Sequence, residues 1–363
     1  MSKLFNHKKL ILKPITPIHI GNGKEILPYE YVVKEDYLYK FNIMSIYENL
    51  NESQKKEFFK YVEQDIVKLR SFVNSIYDES FGYEIKVEVC DNFYNLYQQK
   101  VNGTSNKNEE NSLLVSEFVN IHNKAYIPGS SLKGSLRTNL LYYLGQDNFD
   151  YKVVKNNKGR IDGKLSDSRK SNEYENNILN KRNPMDDPLK SIKISDSNLI
   201  QDALNLYDIN IFTYKKREAE FKRGVPFYLL CTKSKLGSND DIEFEFNLNS
   251  FEGYFNKNGV KKNISIEDLI ISSKTKAFDI LTRESEFYEN CKYHETLDIY
   301  DELWEVYNNL KDNETLIRLG KGCGFDSTTF NLVNRKRNNQ TDSNSRNLVE
   351  GKYPLGWAVI KFV

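Results

Sequence analysis

The sequence has little of what disulfide frameworks, zinc knots and charge-driven binding of polyanions require. Its four cysteines are scattered along the chain, at Cys90, Cys231, Cys291 and Cys323. Because this spacing contains no CxxC pair, it indicates neither a zinc knot nor a disulfide framework, and reduced thiols are expected. The 52 basic and 51 acidic side chains give a formal net charge of +1. This balance excludes a bulk polycation that holds nucleic acid by charge alone, so any polyanion site has to be a local patch.

Long apolar runs and catalytic histidine motifs are also missing. The first residues, MSKLFNHKKLILKPITP, contain no long apolar stretch with a small-residue cleavage site. No window approaches the roughly 18 apolar residues of a membrane span. A cytoplasmic protein without membrane contact is therefore expected. No Ser-His-Asp order, HExxH motif or EF-hand loop can be assembled around the four histidines, so neither a metal nor a cofactor is expected.

The chain is long enough, and rich enough in aromatic residues, to bury an extensive core. It has 363 residues, 39% of them hydrophobic and 13% aromatic, which excludes a wholly disordered chain despite a mean hydropathy of −0.65. A single core stops growing at about 250 to 300 residues, so two domains are expected. We place them at residues 1–210 and 211–363.

Strands, then a helix, then strands recur in both halves of the chain, which is typical of an α+β fold. A hairpin is predicted to turn at Lys34-Glu35-Asp36. Between Ser53 and Ile76 an apolar face with period 3.6 predicts one amphipathic helix of about 25 residues. The segment Phe81–Val101 alternates well enough for one or two strands. Residues 151–190, rich in Asn, Ser, Asp and Lys, predict a long flexible insertion that could become ordered on RNA or on a neighbouring subunit.

The sharpest local feature is the run Tyr126–Arg137, YIPGSSLKGSLR. Its segment from Gly129 to Gly134 fits the pattern G-x-x-x-x-G, which suggests a phosphate loop. That loop needs a lysine directly after the second glycine, where this chain has Ser135, so the motif does not predict an ATPase.

What remains in this run is the beginning of a helix with free backbone N–H groups. Ser130 and Ser131 are placed to cap it, and Lys133 and Arg137 lie four residues apart on one face. Such a face suits a phosphate group, because the helix dipole and both cations favour an anion there. In the alternative interpretation, glycine and serine merely cap a core helix while both cations lie in water.

A second glycine cluster occurs near the end of the chain, in the run Leu319–Phe325, LGKGCGF. It is too sparse for a dinucleotide-binding fingerprint, since no strand–GxGxxG–helix unit surrounds it. Glycine nevertheless lets one backbone approach another closely, and Arg318 and Lys321 add positive charge. An ordinary turn is the alternative.

Three further positions are candidates for function. Lys222 and Arg223 lie between two predicted strands, where a turn can present cations to a phosphate backbone, although most charge runs are solvated faces. His19, shortly before Gly21, is a candidate general base beside a flexible loop, although lone histidines are more often structural. Asp196 is either a ligand for a metal or hydroxyl group or a turn-forming residue.

Taken together, these motifs resemble the RAMP superfamily of CRISPR proteins. The resemblance is carried by Thr16–Gly21 (TPIHIG), Tyr126–Arg137, Ile194–Ser197 (ISDS) and the glycine-rich loop at 319–325. Within that superfamily, the length, the insertion before the helix motif and the closing GKGCGFDSTT resemble the fifth Csm subunit of type III-A effector complexes.

The resemblance implies two ferredoxin-like, RRM-related domains with long insertions, the first holding the helix motif and the second the glycine-rich loop. It implies binding of CRISPR RNA (crRNA) near its 3′ end and capping of the row of Csm backbone subunits beside the small subunits. It also implies a part in crRNA maturation with recruited nucleases, and contact with target RNA stays open. The expected RNA-binding residues are Gly129, Ser130, Ser131, Lys133, Gly134 and Arg137 in the helix motif, Gly320, Lys321, Gly322 and Gly324 in the loop, and His19, Lys222 and Arg223.

Three hypotheses follow from the sequence. The first is a noncatalytic crRNA-binding subunit that caps the complex. The second is a metal-independent endoribonuclease with His19 as general base. The third is a scaffold for protein partners only. Slicing of target RNA by this chain is not expected. The related slicing subunit carries an aspartate in the loop after its first strand, whereas the acids Glu25, Glu30, Glu35 and Asp36 here lack that context.

Overall fold

The computed structural model describes residues 5–101, 113–145, 175–176, 178–179, 186–215, 218–222, 227–251, 264–330 and 345–363. In these ranges the strands are β1 (Phe5–Pro14), β2 (Gly21–Ile26), β3 (Tyr31–Lys34), β4 (Tyr37–Lys40), β5 (Ile85–Val89), β6 (Val115–Phe118), β7 (Asn120–Ile121), β8 (Lys124–Ala125), β9 (Ile192–Ile194), β10 (Leu204–Lys215), β11 (Glu218–Phe221), β12 (Phe227–Thr232), β13 (Phe244–Phe251), β14 (Glu314–Arg318), β15 (Ser345–Val349), β16 (Tyr353–Pro354) and β17 (Trp357–Phe362). The α-helices are α1 (Ile43–Glu48), α2 (Glu52–Gln64), α3 (Ile66–Ile76), α4 (Asp91–Lys100), α5 (Gly129–Gly145), α6 (Lys235–Ser238), α7 (Ile266–Cys291), α8 (His294–Asn308) and α9 (Gly324–Thr328). The mixture of helices and strands confirms the α+β class.

One antiparallel sheet joins the two ends of the chain. Its order is β14-β17-β1-β13-β9, so the first strand lies between β13 and the last strand. Helices α5 and α7 pack against each other and against β14. The buried face of α5, formed by Leu132, Leu136 and Leu140, shares one core cluster with Leu10 and Leu12 of β1. Burial of these leucines removes apolar surface from water and holds α5 in place.

The second sheet is built around the long strand β10. Its order is β2-β6-β12-β10-β5-β4-β3, and β11 and β15 also pair with β10. The first half of β10 lies between antiparallel β12 and parallel β5, and its second half lies between β15 and β11. The boundary that we placed after residue 210 therefore falls inside β10. The division into two ferredoxin-like domains stays a prediction.

One prediction of local structure was wrong, and another was confirmed only in part. The single helix expected between Ser53 and Ile76 is two helices, because Asp65 is extended and its carboxylate accepts hydrogen bonds from the N–H groups of Val67 and Lys68. Such a side chain caps a new helix, so α3 starts in a new direction. The segment Phe81–Val101 contains one strand, β5, as predicted, but its second half is the helix α4 and not a strand.

The hairpin between β3 and β4 turns at residues 35–36 as predicted, with Glu35 in the left-handed region at φ 52°. Most of the expected insertion at 151–190 lies outside the described residues. No helix in the described ranges combines the length and the apolar character needed to cross a membrane.

Candidate nucleic-acid interface

The TPIHIG motif forms a buried connection between the two sheets. After β1 the chain leaves the first sheet, stays buried through Ile20 and enters the second sheet as β2. Thr16 Oγ1 accepts a hydrogen bond from the N–H of Trp357 at 3.0 Å. The N–H of Ile18 donates to the hydroxyl oxygen of Thr232 at 3.1 Å, and the N–H of Thr232 donates to the carbonyl oxygen of Ile18 at 2.9 Å. The motif therefore fixes the position of one sheet relative to the other.

The glycine-rich loop lies directly against this connection. The N–H of Lys321 donates to the carbonyl oxygen of His19 at 2.8 Å. Gly320 has φ +93°, and a Cβ atom there would lie 2.5 Å from the same oxygen. Gly322 has φ +82°, and a Cβ atom there would lie 2.5 Å from Leu355 Cδ1. Gly320 therefore requires glycine for backbone conformation and for space, whereas Gly322 requires it for backbone conformation, because the end of the Leu355 side chain can move aside.

His19 is buried at the centre of this contact, with 1% of its surface exposed. Its Nδ1 lies 2.7 Å from the carbonyl oxygen of Leu230, so Nδ1 carries the proton that it donates there. Burial lowers the pKa of His19 to about 4, against the raising effect of this hydrogen bond. The imidazole is therefore neutral at physiological pH. The hydrogen bond that positions the loop is made by the backbone carbonyl oxygen of His19.

The N-terminus of α5 is capped by the ISDS motif, not by its own serines. The helix begins at Gly129, whose N–H donates to Asp196 Oδ1 at 2.8 Å. A Cβ atom on Gly129 would lie 2.2 Å from the carbonyl oxygen of Ser195. Ser197 Oγ accepts the N–H of Ile127 at 2.9 Å. Asp196 thus caps the helix, as was expected of Ser130 and Ser131. Its carboxylate lies at the helix N-terminus, where a phosphate was expected to bind.

Both cations of the helix motif have partners in the protein. Lys133 Nζ donates to the carbonyl oxygen of Ile192 at 2.6 Å, and burial lowers its pKa. Arg137 forms ion pairs with Asp187, at 2.7 Å, and with Glu175. Burial alone would lower the pKa of Arg137, but its hydrogen bonds to Asp187 and Glu175 raise it. The two side chains attach the start of β9 and the residues just before it to the helix, an arrangement that neither interpretation of the sequence foresaw.

The helix and the glycine-rich loop meet at the end of β14. Ser135 Oγ donates to the carbonyl oxygen of Arg318 at 3.2 Å, and the loop begins at the next residue. On the outside of this junction Ser130, Gly134, Lys321 and Gly324 are exposed. We call these four residues the junction surface. They are the expected RNA-binding residues that the structure leaves exposed on the helix motif and on the glycine-rich loop, the two segments that meet here.

Two aromatic residues lie next to the junction surface and were missed by sequence reasoning. The ring of Phe227, at the start of β12, lies 5.8 Å from Lys321 Nζ, within the range of a cation–π contact. Phe325 follows Gly324 and is 49% exposed. Phe325 lies in the first turn of α9, and its position directly after the glycine cluster was the only sequence signal for it.

Comparison with known proteins decides the family. The family model described as the RAMP superfamily matches residues 11–325. The chain belongs to the RAMP superfamily. It is 26% identical over 326 residues to the CRISPR system Cms protein Csm5 of Methanocaldococcus jannaschii, covering 88% of this chain and 72% of that protein. It is 31% identical over 145 residues to the Csm5 protein of Streptococcus thermophilus, covering 37% of each chain.

Solved structures with this fold include two that cover nearly the whole RAMP chain. One is a chain of a Csm–crRNA–target RNA ternary complex from a type III-A CRISPR–Cas system, with a TM-score of 0.69, 16% identity and coverage of 98% of this chain and 100% of the other. The other is a crystal structure of Csm5 from T. onnurineus, with a TM-score of 0.64, 18% identity and coverage of 96% and 99%. At these identities the likeness establishes a shared fold.

The remaining expected site of this RAMP protein lies on the β10–β11 hairpin. Lys222 is exposed directly after β11, and its N–H donates to the carbonyl oxygen of Ile211 at 2.9 Å. Arg223 lies outside the described residues. Lys222 therefore remains an accessible cation, with its RNA-binding role still a prediction.

Proposed function

We propose that this chain is a noncatalytic crRNA-binding subunit of a type III-A Csm complex, which caps the row of backbone subunits at the crRNA 3′ end. The proposal includes a part in crRNA maturation with recruited nucleases, and neighbours among the backbone and small subunits. The observation that carries it is the junction surface, where the family's two sequence motifs meet with exposed groups suited to a phosphate backbone. Two relatives named Csm5 and the fold shared with a chain of a Csm–crRNA–target RNA complex support it.

The junction surface is suited to RNA of any sequence. Lys321 supplies a cation, and the exposed backbone at Gly134 and Gly324 allows close approach because no side chain intervenes. Contacts of this kind neutralise phosphates without reading bases, and a guide-binding subunit has to accept many sequences. We assign the main phosphate contact to Lys321, because Lys133 and Arg137 already have protein partners. Lys222 and Phe227 extend the same surface in this proposal.

The endoribonuclease alternative depends on His19, and its environment argues against it. A general base works best when its pKa is near the operating pH and when it reaches the proton that it removes. The His19 side chain is buried, its Nδ1 is engaged by Leu230, and its pKa of about 4 makes it a weak base. These properties suit a residue that holds two sheets and a loop together.

The test is binding of a labelled single-stranded crRNA-like RNA to the pure protein, across a salt series with EDTA present. We expect the RNA to stay intact and to be released as salt rises. Lys321→Ala should weaken binding several-fold and reduce the slope of log affinity against log salt by about 0.7, the value for one phosphate contact on a single strand. The matched control is Lys68→Ala on α3, an exposed lysine far from the junction surface in the chain, which should change neither quantity.

Three outcomes would contradict the proposal. Cleavage of the RNA despite EDTA would favour the endoribonuclease, and its loss in a His19→Ala protein that still binds RNA would assign the base. Absence of RNA affinity even at low salt would favour a scaffold for protein partners. Equal losses in the Lys321 and Lys68 variants would place the RNA elsewhere.

A further inference from the structure

A group of three potential metal ligands lies on the second sheet, outside the junction surface. Cys90, Asp208 and Glu350 each offer one ligand atom, and these atoms all lie within 4.8 Å of one another. The three residues come from distant parts of the sequence, so no local spacing motif reveals them. They are brought together because β10 pairs with β5, which ends just before Cys90, and with β15, which ends just before Glu350.

The buried carboxylate of Asp208 has one oxygen that a bound ion would satisfy. Asp208 is 1% exposed. Its Oδ2 accepts hydrogen bonds from the side-chain amides of Asn92, at 2.8 Å, and Asn210, at 3.2 Å. Its Oδ1 is also buried and has no hydrogen-bond partner in the part of the chain that the structure describes. A buried carboxylate oxygen without a partner is costly, and a bound cation would satisfy it.

Three groups that can carry negative charge lie close together here, the thiol of Cys90 and the carboxylates of Asp208 and Glu350. A divalent ion between them removes their mutual repulsion, and its binding displaces the thiol proton, as metal binding to cysteine generally does.

We propose that Cys90, Asp208 and Glu350 bind a zinc ion. A thiolate together with carboxylates suits Zn²⁺ better than Mg²⁺ or Ca²⁺, which prefer oxygen ligands alone. Zinc ligands lie about 2.0 to 2.3 Å from the metal in a tetrahedral arrangement, so two of them are about 3.3 to 3.8 Å apart. Ligand atoms that are up to 4.8 Å apart here have to approach one another by up to about 1 to 1.5 Å, so the Cys90 and Glu350 side chains have to rotate toward the ion. Glu350 is exposed, which provides an entry path for the ion.

The geometry assigns this ion a structural task. Asn92 and Asn210 hold the Asp208 carboxylate in place, as outer partners of metal ligands commonly do. The N–H of Glu350 donates to the carbonyl oxygen of Asp208 at 3.0 Å. Zinc would therefore attach the turn after β15 to the start of α4 across the middle of the sheet. This inference is independent of the proposed RNA binding.

The experiment uses the full chain, freed of purification tags and stripped with EDTA, and titrates it with Zn²⁺ against a chromophoric chelator. We expect one zinc ion per chain, release of protons on binding, and a higher melting temperature with zinc. Co²⁺ in place of zinc should give a thiolate-to-metal charge-transfer band. Cys90→Ser should abolish that band, and Cys90→Ser and Glu350→Gln should each weaken zinc binding by at least about tenfold.

The matched controls are Cys291→Ser and Glu286→Gln, which change the same side-chain types away from the cluster and should bind zinc like the wild type. Glu350→Gln decides the question if Cys90→Ser fails to fold, because position 350 is exposed. The proposal is overturned if the stripped protein takes up no stoichiometric zinc. It is equally overturned if Cys90→Ser and Glu350→Gln bind zinc as the wild type does.

Discussion

Two glycines of α5, only five residues apart, should respond to the same substitution in opposite directions. A Cβ atom on Gly129 would lie 2.2 Å from the carbonyl oxygen of Ser195, whereas ordinary contact begins at 3.4 Å, so the backbone has to separate by more than 1 Å. Overpacking of this kind costs about 1 to 3 kcal/mol, and loss of the cap from Asp196 adds about 1 kcal/mol. Gly129→Ala should therefore destabilise the protein by about 2 to 4 kcal/mol.

At Gly134 an added Cβ atom meets nothing within 4 Å. Alanine is favoured over glycine inside a helix, so Gly134→Ala should stabilise the protein by about 0.5 to 1 kcal/mol. The assay is urea-induced unfolding of both variants beside the wild type, followed by circular dichroism. Equal shifts of the two midpoints, or a neutral Gly129→Ala, would refute the argument that the ISDS motif closes over the beginning of α5.

Two further perturbations test the buried polar groups. The pKa of His19 is about 4 in the folded protein and about 6.5 in the unfolded chain. Because the unfolded chain therefore takes up a proton first as the pH falls, the free energy of unfolding should decrease by about 3 kcal/mol between pH 6.5 and pH 4. His19→Asn should flatten that decline and the exposed His7→Asn should not; parallel curves would refute the assignment. Glu284→Gln should cost about 3 to 5 kcal/mol, because it leaves the buried Arg346, 2.7 Å away, without its carboxylate. The double change of Glu284 and Arg346 to leucine should recover most of this loss, and equal losses in the single and double variants would contradict the role of the pair.

Much of the fold could be predicted from local patterns. The alternation in β13 and the apolar face of α5 have one interpretation each, because burial on one side sets their period. β12 does not alternate in the structure, since residues 228–232 are all buried. The division between α2 and α3 could not be predicted this way, since the apolar period continues across Asp65 and only the capping geometry shows the break. The segment Phe81–Val101 mixes the strand period of 2 with the helix period of 3.6, so its helical part was predicted to be a strand.

The sequence predicted which residues belong to the candidate site, but not which residues they contact. Glycine spacing indicated that the loop at 319–325 allows close approach, yet only the fold shows that its neighbour is the backbone of His19. Lys133 and Arg137 are four residues apart whether they face solvent or protein. Their partners, Ile192 and Asp187, are more than forty residues away, a separation at which spacing carries no information. The same reason hid the cluster around Asp208 completely.

The central claim is the place of this chain at the crRNA 3′ end, and site-specific crosslinking tests it most directly. A Csm complex would be reconstituted with crRNAs that carry one photoreactive nucleotide, near the 3′ end or near the 5′ end. The account predicts crosslinks to this chain from the 3′ position only, at peptides containing Lys321 or the beginning of α5. Crosslinks from the 5′ position, or assembly without any crosslink to this chain, would contradict it.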